Sequence, residues 1–189
     1  MDNINAVILA AGEGTRMKSK MPKVLHEVMG RPMVKRVVDT AKDLGAKNIC
    51  VVTGHMSETV QEALKDENVS FAVQKKQLGT GHAVMQAEEY INENEDVLIL
   101  YGDTPLIKAE TLEKLIEYHR SENNGVSIIS AIVEDSAGYG HIIRDKDGNF
   151  VKNVEYKDAT PEEKLVKEIN SGIYCFKGSS LKKALKLIT

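Results

Sequence analysis

The chain has 189 residues, 42% of them hydrophobic and 28% charged, with 14 Gly, 4 Pro and no Trp. That balance excludes a disordered tail, a collagen-like repeat or a low-complexity fibre, and the length suits a single core, which usually holds roughly 100 to 200 residues. The net charge of −3 is unevenly spread: between Arg16 and Arg36 stand seven bases (Arg16, Lys18, Lys20, Lys23, Arg31, Lys35, Arg36) against Glu27. Such a run is either a solvated basic surface or a polyanion site. Nucleic acid is disfavoured as the polyanion, because aromatic residues make up only 5% of the chain and the remainder carries no basic stripe.

The first element expected is a strand over Ala6–Ala11, apolar without alternation and therefore buried on both faces. A helix is predicted from Pro32 to Leu44, with Val34, Val37, Val38, Ala41 and Leu44 on one face and Gly45 as its cap. Then come a strand Ile49–Thr53, a helix Ser57–Lys65, a strand Val69–Gln74, a helix Gly79–Ile91 and a strand Asp96–Tyr101. The helix Ala109–Arg120 places Leu112, Leu115, Ile116 and His119 on one stripe, so His119 reads as a satisfied core residue. From Val126 the character changes. Strands are expected at Val126–Val133, His141–Arg144, Phe150–Glu155 and Ile169–Phe176, with a hairpin turn at residues 145–149 and a helix from about Ser180. Thr160-Pro161-Glu162-Glu163 has the form of a capping box opening a short helix. The whole predicts an α/β fold, three-layer and Rossmann-like, with a mixed, mainly parallel sheet. One domain, residues 1–189, with two unequal lobes is expected.

No apolar run approaches the roughly 18 residues that span a membrane, and Met1-Asp2-Asn3 begins no recognisable signal peptide. The expectation is a cytoplasmic protein that binds no membrane. Cys50 and Cys175 have no Cys-x-x-Cys partner and read as buried thiols. The five histidines show no metal-ligand spacing.

The segment Leu9-Ala10-Ala11-Gly12-Glu13-Gly14-Thr15-Arg16-Met17 follows the first strand. Glycines at that place let successive backbone N–H groups face one point and bind phosphate. A structural turn accounts for Gly-x-Gly equally well, and the loop is neither a dinucleotide fingerprint, which would need glycine at Met17, nor a P-loop. Its company is more specific: Pro22-Lys23, Gln74, Gln77-Leu78-Gly79-Thr80-Gly81-His82-Ala83, Tyr101-Gly102-Asp103-Thr104-Pro105-Leu106, Gly138-Tyr139-Gly140, Glu155-Tyr156-Lys157-Asp158-Ala159 and Glu168-Ile169-Asn170-Ser171-Gly172. In this order the segments span nearly the whole chain, and the sequence resembles the sugar-nucleotide pyrophosphorylases and related nucleotidyltransferases.

The resemblance implies a uridylyltransferase acting on UTP and N-acetylglucosamine 1-phosphate, which makes an activated amino sugar for cell-envelope precursors and releases pyrophosphate. It makes Arg16 and Lys23 the catalytic triphosphate clamps and Asp103 the ligand of Mg²⁺. It assigns the nucleotide to Leu9, Ala10, Ala11, Gly12, Gln74, Gly79 and Thr80. The sugar falls to Tyr101, Gly102, Gly140, Glu155 and Asn170, partly on a smaller sugar-binding lobe. Two positions depart from the pattern: His141 stands where arginine is usual, and Tyr156 where histidine is common. Family domains of this kind also continue beyond the position of Thr189 with an asparagine as second metal ligand. In bifunctional members they lead into a β-helix that trimerises and carries an acetyltransferase. The expectations are therefore a shortened domain, a homotrimer only where that β-helix is present, and two competing alternatives: a nucleotide-binding module with little turnover, or a related transferase using another nucleotide or acceptor.

Overall fold

The structure, a computed structural model, describes residues 3–14 and 17–188. The chain divides into two compact units, Met1–Ser127 with Tyr174–Thr189, and Ile128–Ile173.

The larger unit is built on β1 (Ile4–Ala10), β4 (Asn48–Thr53), β5 (Ser70–Val73) and β6 (Asp96–Tyr101), which lie parallel in the order β5-β4-β1-β6. The later residues of β10 (Glu168–Lys177) add an antiparallel edge, pairing Tyr174 with Ile99 and Phe176 with Val97. Every residue of β1 is buried, as its unbroken apolar run requires. Because side chains alternate across a sheet, Val7, Leu9, Cys50, Val52, Val97 and Ile99 share one face and pack with Ala83 and Val84 of α3 (Thr80–Met85) and Leu181 and Leu185 of α5 (Gly178–Leu185). Ile8, Val51, Leu98 and Leu100 occupy the other face. Of the remaining helices, α1 (Met33–Asp43) contacts β1, β6 and α4 (Ala109–Ser121), and α2 (Ser57–Ala63) contacts β4. Parallel strands joined by helices on both faces form the expected mixed, mainly parallel α/β architecture. No helix among the described residues is long and apolar enough to cross a membrane.

The smaller unit is antiparallel. The early part of β10 pairs with β8 (His141–Arg144) through Ile169 and His141, β8 pairs with β9 (Phe150–Val154), and β7 (Val126–Ile132) pairs with β10. Asp145 ties the 145–149 turn, accepting from the backbone N–H groups of Asp147 and Asn149, both at 2.9 Å. The capping box is formed reciprocally, Thr160 N–H to Glu163 Oε2 at 2.9 Å and Glu163 N–H to Thr160 Oγ1 at 3.3 Å. It opens only a three-residue 3₁₀ turn, Glu163–Leu165.

Two further local differences from the sequence reading have physical causes. The helix expected over Gly79–Ile91 ends at Met85, and Glu88–Tyr90 tightens to a 3₁₀ turn. That tightening goes with Ala87 and Ile91 buried in the core and the Tyr90 hydroxyl donating to the Phe71 carbonyl at 3.2 Å. A small hairpin, β2 (Glu27–Val28) and β3 (Arg31–Pro32), was not expected; Met29 and Gly30 turn it with φ of 51° and 74°. Positive φ at both central residues is the requirement of a tight two-residue hairpin turn.

Both cysteines are buried and free, and burial pushes each thiol up to about 12, which makes them inert packing residues. His119 is fully buried as expected, but it is only half satisfied. Its Nδ1 meets Ser127 Oγ at 3.0 Å, while Nε2 has no hydrogen bond and lies 3.7 Å from Asp96 Oδ1. Burial depresses its pKa, which keeps it neutral.

Candidate active site

In an open parallel sheet, ligands bind outside the carboxyl ends of the strands. At those ends of β1, β5 and β6 the larger unit has a cleft of about 370 Å³. Leu9, Ala10, Ala11 and Gly12 line it from the end of β1, Gln74 from the end of β5, and Gly79 and Thr80 from the start of α3. Tyr101 and Asp103 enter from the end of β6, and Lys23 from a short 3₁₀ turn, Lys23–Leu25. All seven expected nucleotide residues thus share one cleft with Lys23 and Asp103. Another cavity, of about 310 Å³, lies at the amino ends of β4 and β5 beside Asn48, Ser70 and Glu89, and carries none of the expected catalytic, nucleotide, sugar or metal residues.

The glycine loop is shaped around the lysine. Gly14 has φ of 61°, and a Cβ there would lie 2.7 Å from Cβ of Lys23. The position therefore excludes a side chain on both conformational and steric grounds. Lys23 Nζ donates to Asp103 Oδ2 at 2.6 Å, and both side chains are about one-third exposed, at 35% and 27%. The cleft thus presents a cation and a carboxylate already paired, each open to solvent. Among the described residues, no group of three or more His, Cys, Asp and Glu side chains could hold a metal ion. A single carboxylate does suit Mg²⁺ delivered on a triphosphate, since that ion usually keeps waters and takes one or two carboxylates plus substrate phosphates.

The basic stretch does not converge as a whole. Arg31 donates to Asp39 Oδ1 at 2.7 Å and lies 3.6 Å from Glu67, and Lys35 lies 3.9 Å from the same Glu67. A hydrogen bond from Lys42, with Lys35 and Arg31 nearby, holds the Glu67 carboxyl below the usual carboxylate range. Arg36 donates to the carbonyls of Val28 at 2.8 Å and Met29 at 3.3 Å, closing the hairpin onto α1. Of the seven bases, only Lys23 is placed in the cleft; Lys18 and Lys20 are exposed, and Arg16 lies outside the described residues.

The expected sugar residues divide between the units. Tyr101 lines the cleft, and Gly102 stands behind it, buried, its N–H donating to the Leu9 carbonyl at 2.9 Å. Gly140, Glu155 and Asn170 belong to the smaller unit and lie close together. Asn170 N–H donates to the Gly140 carbonyl at 2.8 Å, and Glu155 Oε1 is 3.2 Å from the point a Cβ on Gly140 would occupy. The two departing positions of the sequence also meet here: the His141 and Tyr156 rings are 5.9 Å apart, with Lys164 Nζ 5.0 Å from the centre of the Tyr156 ring.

Gly14 of the glycine loop also lines the cleft, as do Val24, Gln77 and Ala83, to which the sequence reading assigns no individual role although Gln77 and Ala83 stand in a quoted motif. Gln77 Nε2 donates to the Ala11 carbonyl at 3.4 Å and so ties the second loop to the first. His82, quoted in the same motif but given no role beyond lacking metal-ligand spacing, has its Nδ1 3.0 Å from Nε2 of Gln74. The signal available was the spacing Gly79-x-x-His82 at the opening of a helix.

A family profile for the MobA-like NTP transferase domain matches residues 6–143. The chain is 59% identical over all 189 residues to a bifunctional protein GlmU of Caldanaerobacter subterraneus subsp. tengcongensis, covering 41% of that protein. It is 52% identical over 186 residues to the bifunctional protein GlmU of Clostridioides difficile, covering 98% of this chain and 40% of that one. The chain therefore spans about two fifths of the length of these curated relatives. A crystal structure of a Bacillus anthracis protein described as a glucose-1-phosphate thymidylyltransferase superposes with a TM-score of 0.81 at 21% identity, covering 98% of this chain and 76% of that one, and shares the fold. With its carboxyl-edge cleft and a family match over most of its length, the chain belongs to the MobA-like NTP transferase domain family and is a nucleotidyltransferase.

Proposed function

We propose that this domain transfers the uridylyl group of UTP to N-acetylglucosamine 1-phosphate, releasing pyrophosphate, in the cytoplasm and toward cell-envelope precursors. One observation carries the reading. The glycine loop, Gln74, Gly79, Thr80, Lys23 and Asp103 share a single cleft at the carboxyl edge of a parallel sheet, so groups suited to a base, a triphosphate and a metal lie within one ligand's reach.

The attacking group is a phosphate oxygen of the sugar phosphate, and the leaving group is pyrophosphate. A sugar phosphate is already ionised near neutral pH, so the protein needs no base to activate it. Its task is to align the two phosphates and to neutralise the charge that develops. Lys23 would donate to the triphosphate, giving up its 2.6 Å bond to Asp103 as it does so, and Arg16 is assigned the same role. Asp103, thus released, would hold Mg²⁺, which when bound neutralises phosphate oxygens. Gln74 and the backbone at Gly79 would read the uracil edge, and Leu9 to Gly12 would pack against the nucleoside. Tyr101, Gly102, Gly140, Glu155 and Asn170 are assigned to the sugar.

A second reading rests on Asp103 being the only carboxylate that lines the cleft among the described residues: a nucleotide-binding domain with little turnover by itself. Pyrophosphate release from UTP plus N-acetylglucosamine 1-phosphate, with and without Mg²⁺, separates the two. Mg²⁺-dependent release is expected. UTP binding without release would favour the second reading, and faster release from CTP or GTP would replace uridylyl transfer with a different nucleotide specificity.

A further inference from the structure

We propose that His82 is a positioning residue that sets base specificity by fixing the side-chain amide of Gln74. The proposal rests on the reading of the cleft as a UTP site, and extends it to a residue that touches neither phosphate nor sugar in that reading.

Gln74 lines the cleft, yet it is only 4% exposed. Its backbone is held by β4, the N–H donating to the Thr53 carbonyl at 2.7 Å. Its amide nitrogen donates to the Gly79 carbonyl at 3.0 Å and lies 3.0 Å from His82 Nδ1. A carbonyl accepts and never donates, so the atom facing Gly79 is the NH₂ and not the oxygen. Gly79, with φ of 102°, starts α3, and its carbonyl also accepts the helical N–H of Ala83 at 3.1 Å. The first hydrogen of the Gln74 amide is thereby committed to the helix.

The second hydrogen goes to His82 Nδ1, which must then offer a lone pair. That requires a neutral imidazole with its proton on Nε2. Gln86 Nε2 donates to the His82 carbonyl at 3.1 Å and reaches the other ring nitrogen only at 3.4 Å; a neutral ring has one lone pair, and the shorter contact, 3.0 Å from Gln74, takes it. With both amide hydrogens used, the hydrogen-bonding group that Gln74 retains is the acceptor Oε1.

That outcome discriminates between pyrimidines. Uracil carries a donor, N3–H, at the centre of its edge, whereas cytosine carries a lone pair at N3. An acceptor fixed at this place bonds the first and repels the second. Turning the amide over would set Oε1 against the Gly79 carbonyl and would force the imidazole proton from Nε2 to Nδ1. Without His82, only the Gly79 contact opposes the turn. Thymine presents the same edge as uracil, so this device separates uracil from cytosine and leaves the 5-position unread.

The test compares UTP and CTP as substrates in the wild-type protein, His82→Ala and His82→Asn, with circular dichroism to confirm folding. Asparagine retains an acceptor near the place of Nδ1, and alanine does not. For His82→Ala the kcat/KM ratio of UTP over CTP is expected to fall roughly five- to tenfold, the size of one lost hydrogen bond. The change is expected in KM for UTP with kcat nearly unaltered, and His82→Asn is expected to restore the ratio to within about twofold, a fraction of that one bond. In ¹⁵N spectra of the wild-type imidazole, the Nε2–H tautomer is expected. An unchanged ratio in His82→Ala, equal losses in both variants, or an Nδ1–H tautomer would overturn the proposal. A wild-type protein that does not prefer UTP would instead overturn the UTP reading beneath it.

Discussion

Each residue of β1 in the larger unit is buried, and Leu98 and Leu100 of β6 are fully so, whereas β9 in the smaller unit leaves Phe150 57% and Val151 55% exposed. The smaller unit compensates with polar ties. Arg144 grips Glu168 with two hydrogen bonds of 2.7 Å, Ser130 donates to the same carboxylate at 2.6 Å, and Lys152 pairs with Glu163 at 2.7 Å. The consequence reaches the site. The cleft of the larger unit opens at the ends of β1, β5 and β6, and the buried strands β1 and β6 cannot shift without disturbing a packed core. In the smaller unit Asn170 lies on β10, Gly140 just precedes β8 and Glu155 just follows β9, strands held by hydrogen bonds and ion pairs, which depend on pH and salt.

Four perturbations probe this contrast. Leu98→Ala removes a fully buried side chain on β6, between β1 and β10, and is expected to cost about 2–5 kcal/mol in urea unfolding; a cost near zero would mean that the two units do not differ in kind. Asp103→Ala is expected to lower Mg²⁺-dependent pyrophosphate release roughly 100-fold or more, the scale of one lost electrostatic contact in a transition state, with an unchanged circular dichroism spectrum. Wild-type rates would remove Asp103 from the site. Glu168→Gln tests the polar ties. The hydrogen bond from Arg144, aided by Ser130, holds the Glu168 carboxyl down to about 2 from 4.5. A folded-state pKa that is depressed stabilises above the ordinary carboxylate value and loses that stabilisation as pH falls. Stability is therefore expected to decline between about 4.5 and about 2, and urea titrations at stepped pH should show a shallower decline in the variant. The smallest effect is expected from Thr160→Ala, which opens the capping box: faster amide hydrogen exchange at Glu163 and an unchanged global unfolding midpoint.

Where burial dominates, the elements were legible in the sequence. The run Ala6–Ala11 announced β1 because a strand covered on both faces needs no polar alternation, and Asp96–Tyr101 and His141–Arg144 were placed with the bounds observed. The hairpin of β2 and β3 was not legible, since two-residue strands carry no period and its turn, Met29-Gly30, lacks the usual Asn-Gly signal. The shortened α3 is not legible for another reason: the 3₁₀ turn that follows it goes with a Tyr90 bond to Phe71, a residue remote in sequence. His119 was placed in the core by its spacing, yet spacing could not say that Nε2 would remain without a hydrogen bond.

The site divides in the same way. The resemblance carried by the ordered motifs named the glycine loop, Gln74, Gly79, Thr80, Lys23 and Asp103, because such motifs are local runs of residue type that a sequence preserves. That Lys23 would lie 2.6 Å from Asp103, eighty positions away, follows only from the parallel crossings that bring the ends of β1 and β6 to one edge. The basic stretch shows the limit most plainly. Its charge was countable from composition, but charge has no direction along a sequence. Asp39 and Glu67 claimed Arg31 and Lys35 for the scaffold, and the tertiary structure left Lys23 for the cleft.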